Sequence, residues 1–395
     1  MIAIFLSPLY LLLNLYLVRR LLEWFATLHG FLGRRCFVIP FTACYVLVCL
    51  TPLSAAFLRG RIQVFTKRIS NYWFGTLMYL LILMLVTELI RILFLLFHHQ
   101  KILTPVSAPA LRIGGAVILV LTVLISIYGI CHANHIKRTS YKVSVSKESS
   151  LPGLKIALVA DLHLGYSVND RQISQMVRMI NSMQPDLIVL AGDIFDNDFD
   201  TVQNPEQIRN TLLQMKSTYG AYACWGNHDI DELILAGFTF AKGDKTIRSD
   251  PRMDQFLEDS GIRLLTDQSI LIDNAFYLTG RRDLSTEEKS GLVRSTPAEL
   301  AAGLDSSLPM IVIDHQPAEL QELADAGFDL DLSGHTHDGQ LFPGTLVTRL
   351  RWENSCGMLE KDRMTSIVTS GVGVWGPAMR VGTDCEVVEI CINFL

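Results

Sequence analysis

Hydrophobic residues are distributed unevenly along this chain of 395 residues. Before about residue 137 they form four long apolar runs, and after it they form short runs separated by polar and turn-forming residues. A membrane-spanning helix needs about 20 consecutive apolar residues, so each long run predicts a transmembrane helix, the first of them near the lower limit of length. The predicted spans lie at about 2–18, 37–58, 73–97 and 111–131.

The basic residues beside these spans indicate an orientation. Cytoplasmic loops are enriched in Lys and Arg. The arginine pairs at 19–20 and 34–35 favour a cytoplasmic position for the loop between the first two spans. Four spans then bring the C-terminal part to the extracytoplasmic face. Basic residues within 59–68 and 137–142 favour the opposite face. Of these two orientations we expect the first, which gives a multi-pass protein of the inner (plasma) membrane with its C-terminal domain on the extracytoplasmic face.

Two further features bear on the apolar part. The first run lacks a preceding basic region and a small-residue cleavage site, so we expect no removed signal peptide. Glu88 lies inside the third run, where an ionisable residue can mark a transport pathway. Arg91 follows three residues later, and an ion pair on one helix face is the simpler interpretation. The runs hold no ordered series of charges, which argues against a transporter.

After a predicted linker at 138–152, the pattern from residue 153 to 395 becomes that of a soluble domain. Short apolar runs bounded by turn residues predict buried strands. Helical periodicity lies between several of them, most clearly at 171–183, and the second half is rich in strands. This alternation predicts a layered α/β domain. The principal predicted strands lie at 154–160, 186–191, 221–225, 309–313 and 328–332.

Composition narrows the classes of function. The net charge is −5, and no basic face is required, so we expect no nucleic-acid partner. The eight cysteines show no CxxC spacing and predict no disulfide framework. Nothing in the sequence predicts a protein partner.

A polar motif follows or stands just beyond each of the five predicted strands. Each motif alone is common in unrelated proteins. The prediction of a functional site depends on all five motifs occurring in this order, each after a predicted strand. In open α/β sheets the carboxyl ends of the strands form one edge where sites are built, so we expect the motifs to meet in one crevice. The motifs are Asp161-Leu-His163, Gly192-Asp193-Ile-Phe-Asp196, Gly226-Asn227-His228-Asp229, His315 and Gly334-His335-Thr-His337.

These motifs supply carboxylates, an amide and imidazoles but no thiolate. Such donors suit divalent Mn, Fe, Zn or Mg. Two ions held about 3.5–4 Å apart need a shared ligand, and Asp193, at a glycine turn, is placed for that role. The spacing of Asp161 and His163 lets both side chains face the same way on an extended segment, and His335 and His337 repeat it.

Other residues predict catalysis and substrate binding. Asn227 offers an amide oxygen, His228 is a candidate catalytic imidazole, and Asp229 is the carboxylate expected to fix its tautomer. Arg281 and Arg282 follow an apparent strand and a glycine, which suits a phosphate clamp. The alternative for the two arginines is a solvated turn.

The motif set resembles the calcineurin-like metallophosphoesterase superfamily over residues 153–394. The runs GHTHDGQLFP at 334–343 and GVGVWGP at 371–377 are similar to the membrane-associated bacterial branch that includes YkuE- and YaeI-type phosphoesterases. Some members of that branch hydrolyse the pyrophosphate of UDP-diacylglucosamine. The resemblance implies a four-layer αββα sandwich and two divalent metal ions. It implies that Asp161, His163, Asp193 and His337 hold the first ion, and Asp193, Asn227, His315 and His335 the second.

The resemblance also implies a reaction. A hydroxide bridging the metals would attack phosphorus in line, while His228, paired with Asp229, would protonate the leaving oxygen or stabilise the phosphoryl group that is transferred. Asp196 would support the ligands. We therefore expect a membrane-anchored phosphodiesterase or pyrophosphatase acting on a lipid-linked substrate such as a UDP-linked glycolipid. The alternatives are an anchored hydrolase of soluble nucleotides or phosphomonoesters, and a metal-binding sensory module without turnover.

Overall fold

A computed structural model describes residues 2–53, 57–58, 60–99, 106–230, 232–235, 238–241, 250–285 and 292–395. The chain divides into two units. The first comprises Met1–Ile130, Ile234–Thr239 and Gly376–Met379. The second comprises Cys131–Leu233, Phe240–Trp375 and Arg380–Leu395.

The first unit is built from apolar helices. Among the described residues, α3 (Gly60–Phe97) and α4 (Ala108–His132) are the helices long and apolar enough to cross a membrane. Glu88 accepts a hydrogen bond from Arg91 Nε at 2.9 Å, so the predicted ion pair is present. The helices are α1 (Ile2–Leu28), α2 (Arg35–Leu50), α3 (Gly60–Phe97) and α4 (Ala108–His132).

The prediction of four spans is supported only in part. The run at 37–58 does not form one long helix, because α2 has 16 residues and is followed by a 3₁₀ turn at Thr51–Leu53. At about 1.5 Å per residue, α2 is about 24 Å long, which is short of the roughly 30 Å hydrocarbon core. Pro52, which has no backbone N–H, stands where the helix gives way.

The second unit contains two six-stranded sheets. Their strand orders are β1-β14-β2-β3-β4-β7 and β12-β13-β11-β10-β9-β8. The predicted α/β class is therefore confirmed. Numbered along the whole described chain, including β5 and β6, which pair only with each other, the strands are β1 (Ile136–Val145), β2 (Gly153–Val159), β3 (Leu187–Ala191), β4 (Ala221–Cys224), β5 (Glu232–Leu235), β6 (Phe238–Ala241), β7 (Ile262–Leu264), β8 (Gln268–Ile272), β9 (Phe276–Gly280), β10 (Met310–Ile313), β11 (Leu330–Ser333), β12 (Gly357–Lys361), β13 (Met364–Val368) and β14 (Cys385–Phe394).

One apolar core joins the two sheets. It contains Leu158 and Val189 of the first sheet together with Ile311 and Leu330 of the second. A second core joins β10 to α9 (Leu320–Asp325). Parallel pairing of β2, β3 and β4, and of β10 and β11, aligns the carboxyl ends of these strands. The helices of this unit are α5 (Asp170–Met183), α6 (Pro205–Leu212), α7 (Pro251–Asp259), α8 (Pro297–Ala301), α9 (Leu320–Asp325) and α10 (Gly344–Arg351).

The predicted linker at 138–152 is wrong for most of its length. Strand β1 pairs in parallel with β14 from Ile136↔Cys385 to Val145↔Phe394. Val143 and Val145 are buried, and Arg138 Nη2 contacts Glu389 Oε2 at 2.7 Å. From Tyr141 to Val145 apolar side chains alternate with polar ones, which is the pattern of a half-buried strand. The folded domain therefore begins before residue 153.

We expect a fragment that begins at residue 150 to be less stable and more prone to aggregation than one that begins at residue 131. The shorter fragment lacks β1, so it exposes the unpaired edge of β14, and exposed edges template association between chains. Thermal unfolding and size-exclusion chromatography of the two fragments test this. Equal melting temperatures and equal monomer yields would contradict it.

Candidate metal centre

The predicted ligands all stand on loops that follow strands of the two sheets. Asp161 and His163 follow β2, Asp193 follows β3, and Asn227 follows β4. In the second sheet, His315 follows β10, and the last two histidines follow β11. Because these strand ends are aligned within each sheet and the sheets share one core, the loops converge on one buried cluster.

Five of these residues have a left-handed backbone. The φ values are 54° at Asp161, 47° at His163, 49° at Asp193, 72° at His335 and 50° at His337. Residues other than glycine avoid this region, at a cost on the order of 1–3 kcal/mol each. Hydrogen bonds between loops hold them there, including Asp161 N to Gly192 O and His163 N to Asp193 O, both 3.0 Å. Such outliers concentrate at functional sites.

Two glycines permit the close approach of these loops. A Cβ at Gly192, whose φ is +77°, would lie 2.6 Å from His315 Nδ1. A Cβ at Gly226 would lie 2.2 Å from Asp193 Oδ1. Neither position accommodates a larger residue without displacing a candidate ligand, so the glycines of the motifs serve the site directly.

Asp161, His163 and His337 form the first group of candidate ligands, with one ligand atom from each lying within 4.8 Å of the others. His163 Nε2 and His337 Nε2 are 3.1 Å apart. His337 Nε2 is 3.5 Å from Asp161 Oδ1. Both oxygens of Asp161 accept a hydrogen bond from the backbone N–H of His335 at 3.1 Å, which fixes the carboxylate.

Asp193, His315 and His335 form the second group. His315 donates from Nδ1–H to the carbonyl of Ala191 at 2.9 Å, which directs Nε2 into the cluster. That nitrogen is 3.2 Å from Asp193 Oδ2 and 3.1 Å from Asn227 Oδ1. His335 Nδ1 is 3.2 Å from the same nitrogen. The predicted amide oxygen thus joins this group.

Asp193 lies between the two groups. Its Oδ2 atom is 3.2 Å from His315 Nε2 and 3.7 Å from His163 Nε2. Its Oδ1 atom accepts a hydrogen bond from the backbone N–H of His228 at 2.8 Å. One carboxylate therefore touches donors of both groups, as a shared ligand must.

The electrostatics of the cluster suit divalent cations. Burial lowers the pKa of His163 to about 3 and that of His335 to about 4, so both imidazoles are neutral at pH 7 and keep a lone pair. Burial, together with the charge of Asp193, raises the pKa of Asp161 to about 7. A bound cation would offset the cost of placing these two carboxylates together. The donor set therefore fits divalent metal ions.

The predicted partner of His228 is wrong. Both oxygens of Asp229 accept backbone N–H groups, from Phe195 at 2.8 Å and Gly226 at 2.7 Å. Asp229 is fully buried and holds the two loops together instead of meeting the imidazole. The Nδ1 atom of His228 is hydrogen-bonded to Asn197 Oδ1. Asn197 directly follows the second motif in the sequence. Its polar side chain at that position was the signal from which this contact with His228 could have been predicted.

Further contacts surround this imidazole. Its ring lies edge-on to Trp375, with centroids 5.8 Å apart, and to His163 at 5.1 Å. Asp196 Oδ1 lies 4.0 Å from His228 Nδ1 and 3.9 Å from His163 Nδ1, close enough to influence both rings. His228 therefore lies against the first group of candidate ligands.

The predicted phosphate clamp is also wrong. Arg281 is fully buried, with Nη1 2.9 Å from Asp314 Oδ2 and Nη2 2.7 Å from Glu319 Oε2. Arg282 contacts Asp267, with Nε 3.3 Å from Oδ2. Sequence reasoning missed Arg294, which binds Asp314 and Glu319 beside Arg281. Asp314 of this buried network directly precedes His315 in the chain. The arginines of the network form ion pairs with carboxylates.

We expect Arg281→Leu to destabilise the fold by about 3–5 kcal/mol, because it leaves part of the charge of Asp314 buried without its partner. A phosphate clamp would instead raise KM with little loss of stability. Thermal unfolding of Arg281→Leu and of Arg282→Leu, the partly exposed neighbour, tests the difference. A stable Arg281→Leu protein with a raised KM would restore the original interpretation.

Arg380 braces the loop that closes the cluster. It is fully buried and donates to the carbonyls of His337 at 3.0 Å, Ser370 at 2.6 Å and Gly373 at 2.8 Å. Three backbone acceptors occupy its guanidinium, so it positions the loop after β11 and the loop after β13 relative to each other.

Comparison with known proteins agrees with this geometry. Residues 154–339 match the family model for calcineurin-like phosphoesterases. An uncharacterized metallophosphoesterase of Campylobacter jejuni is 30% identical over 242 residues, which cover 60% of this chain and 58% of that protein. A transmembrane protein with a metallophosphoesterase domain from Danio rerio is 28% identical over 287 residues, covering 70% of this chain and 62% of that protein.

A third relative bears a more specific name. The UDP-2,3-diacylglucosamine pyrophosphatase LpxG of Chlamydia trachomatis is 24% identical over 311 residues, which cover 66% of this chain and 91% of that protein. The matches to the Campylobacter and Danio proteins span about three fifths of their lengths, 58% and 62%. From the match over residues 154–339 and the converging ligands, we conclude that the chain carries a calcineurin-like metallophosphoesterase domain.

Proposed function

We propose that this chain is a membrane-anchored phosphoester hydrolase with two divalent metal ions. The observation that carries the proposal is the position of Asp193 between two groups of ligands, at 3.2 Å from His315 Nε2 and 3.7 Å from His163 Nε2. A shared carboxylate is characteristic of two-metal sites that hydrolyse phosphate esters. A sensory module without turnover would not need a separate imidazole beside such a site.

In this proposal the ligands divide between the ions. When bound, the ions would activate a water molecule and neutralise charge on the phosphate oxygens. The chain would orient the ester through these fixed loops, so that the leaving oxygen meets an acid on the far side of phosphorus. Asp161, His163, Asp193 and His337 would hold one ion, and Asp193, Asn227, His315 and His335 the other.

We assign proton transfer to His228. The side-chain oxygen Oδ1 of Asn197 accepts a hydrogen bond from Nδ1–H of His228, which fixes the ring and leaves Nε2 as the nitrogen that donates a proton to the leaving oxygen. Imidazole is suited to this step because its ordinary pKa lies near neutrality. Asn197 is a positioning residue, and Asp229 acts on the loops and not on the ring.

We propose a lipid-linked phosphoester or pyrophosphate as the substrate. Two helices of membrane-spanning length, α3 and α4, would keep the enzyme at a bilayer, and a tether raises the local concentration of a membrane-bound substrate. The name of the Chlamydia relative supports a UDP-linked glycolipid. The basic residues near 19–20 and 34–35 support a multi-pass anchor with the domain on the extracytoplasmic face.

A substrate panel tests this function. The full-length protein, purified in nanodiscs with Mn²⁺, is assayed on UDP-diacylglucosamine, bis-p-nitrophenyl phosphate, p-nitrophenyl phosphate and UDP-glucose. We expect kcat/KM for the glycolipid to exceed that for each soluble ester by at least about tenfold, because apolar contacts add to phosphate binding. Faster cleavage of a soluble ester would overturn the lipid assignment. No metal-dependent cleavage of any substrate would overturn the enzyme assignment.

A further inference from the structure

The surface helix α10 (Gly344–Arg351) has its apolar side turned away from the protein. Thr345 is 7% exposed, whereas Leu346, Val347 and Leu350 are 52%, 66% and 90% exposed. A surface helix of a water-soluble domain normally buries its leucines and exposes its polar residues. This arrangement is the reverse of that pattern, so the helix presents an apolar face that requires a partner.

Charged residues border this apolar face. At about 100° per residue, Leu346, Leu350 and Val347 fall within an arc of about 100° on the helix. Arg349 lies about 60° beyond one edge of the arc, and Arg351 about 40° beyond the other. Both arginines are exposed, and the helix contains no acidic residue. An apolar centre with basic margins is the pattern of a helix that lies in the interface of an anionic membrane.

The helix stands at the edge of the metal centre. Trp352 follows its last residue, and its ring lies edge-on to that of His335, with centroids 5.3 Å apart. Before the helix, Phe342 is 51% exposed. Gln340 donates to the carbonyl of Trp375 at 2.8 Å and accepts from its N–H at 2.9 Å, which ties the approach to α10 to the ring beside His228. The apolar face therefore continues to the rim of the candidate site.

We propose that α10 docks on the surface of an anionic phospholipid bilayer. Leu346, Val347 and Leu350 insert among the acyl chains near the headgroups, while Arg349 and Arg351 bind headgroup phosphates. The basic margins favour an anionic bilayer over a second copy of this chain, because in a symmetric contact between two copies the same arginines would face each other. The proposal rests on the membrane anchoring in the proposed function and is independent of hydrolysis.

A crosslinking experiment tests this docking. The full-length protein is placed in nanodiscs that contain anionic lipid, with p-benzoylphenylalanine at position 350 (Leu350→p-benzoylphenylalanine). The matched control carries the same substitution at Glu258, an exposed position on α7. Mass spectrometry after irradiation is expected to show phospholipid adducts at position 350 at least about tenfold more often than at position 258. Equal adduct yields, or crosslinks to a second protein chain, would overturn the proposal.

The arginines are tested in the same system. Arg349→Gln combined with Arg351→Gln is expected to lower the adduct yield at position 350 severalfold in anionic discs and to leave it unchanged in zwitterionic discs. A yield that does not respond to these substitutions would overturn the charge assignment. Unaltered thermal unfolding and unaltered cleavage of bis-p-nitrophenyl phosphate show that the variants are folded. The lipid readout stands even if no ester is cleaved.

Discussion

Asp193→Asn is expected to lower phosphodiester hydrolysis by about 10³-fold or more and to reduce the number of metal ions held per chain. The substitution keeps the shape of the side chain but removes the charge that both ligand groups share. Asp193 Oδ2 lies 3.2 Å from His315 Nε2 and 3.7 Å from His163 Nε2, so neither group is spared. Rates on bis-p-nitrophenyl phosphate with Mn²⁺, and metal content by mass spectrometry, measure the two effects.

A matched control separates this effect from a general effect of removing a carboxylate. Asp259→Asn alters an exposed carboxylate whose contact with Arg209 is 3.7 Å long, and such surface pairs contribute little. Its rate and metal content are expected to equal those of the wild type. Full activity of Asp193→Asn, with unchanged metal content, would refute the shared-ligand role.

His228→Asn is expected to lower kcat by about 10²–10⁴-fold on esters with poor leaving groups and to leave metal content unchanged. An alkoxide leaving group needs a proton in the transition state, whereas p-nitrophenolate leaves readily without one. The loss on bis-p-nitrophenyl phosphate should therefore be much smaller than the loss on a dialkyl phosphate diester, from which an alkoxide has to depart. Comparing the two leaving groups on one variant identifies general-acid catalysis.

The orienting partner of His228 is tested separately. Asn197→Ala removes the oxygen bonded to Nδ1 and is expected to reproduce part of the loss, with a displaced acidic or basic limb of the pH–rate profile. His135→Asn changes an exposed histidine and should have no effect on either readout. If Asn197→Ala leaves both the rate and the pH profile unchanged, the proposed positioning role is wrong.

The core of the domain was predictable because its signals are local. The runs at 156–160 and 187–191 are continuously apolar, as strands buried on both faces must be, and a carboxylate or a glycine follows each at once. The rule that sites form at the carboxyl ends of such strands then brings distant motifs together. Asp161 and His337 are separated by 176 positions in the sequence, yet their side chains lie 3.5 Å apart.

The remaining features depend on contacts that no local pattern contains. The first half of strand β1, at 137–140, is polar, and the alternation that follows it is short, so the segment resembles a linker until its pairing with β14 is known. Arg281 looks like a phosphate ligand because its partners, Asp314 and Glu319, lie far along the chain. The predicted role of Asp229 failed similarly, since two backbone N–H groups occupy its oxygens.

The left-handed backbone of five candidate ligands affects how the thermal stability of this protein can be increased. Glycine adopts such φ values without strain, and asparagine tolerates them better than most residues. Replacing His163 or His335 with either residue should relieve strain and raise the melting temperature of the metal-free chain. A selection for heat resistance alone would thus favour inactive proteins, and thermostable variants should be sought under a simultaneous demand for turnover.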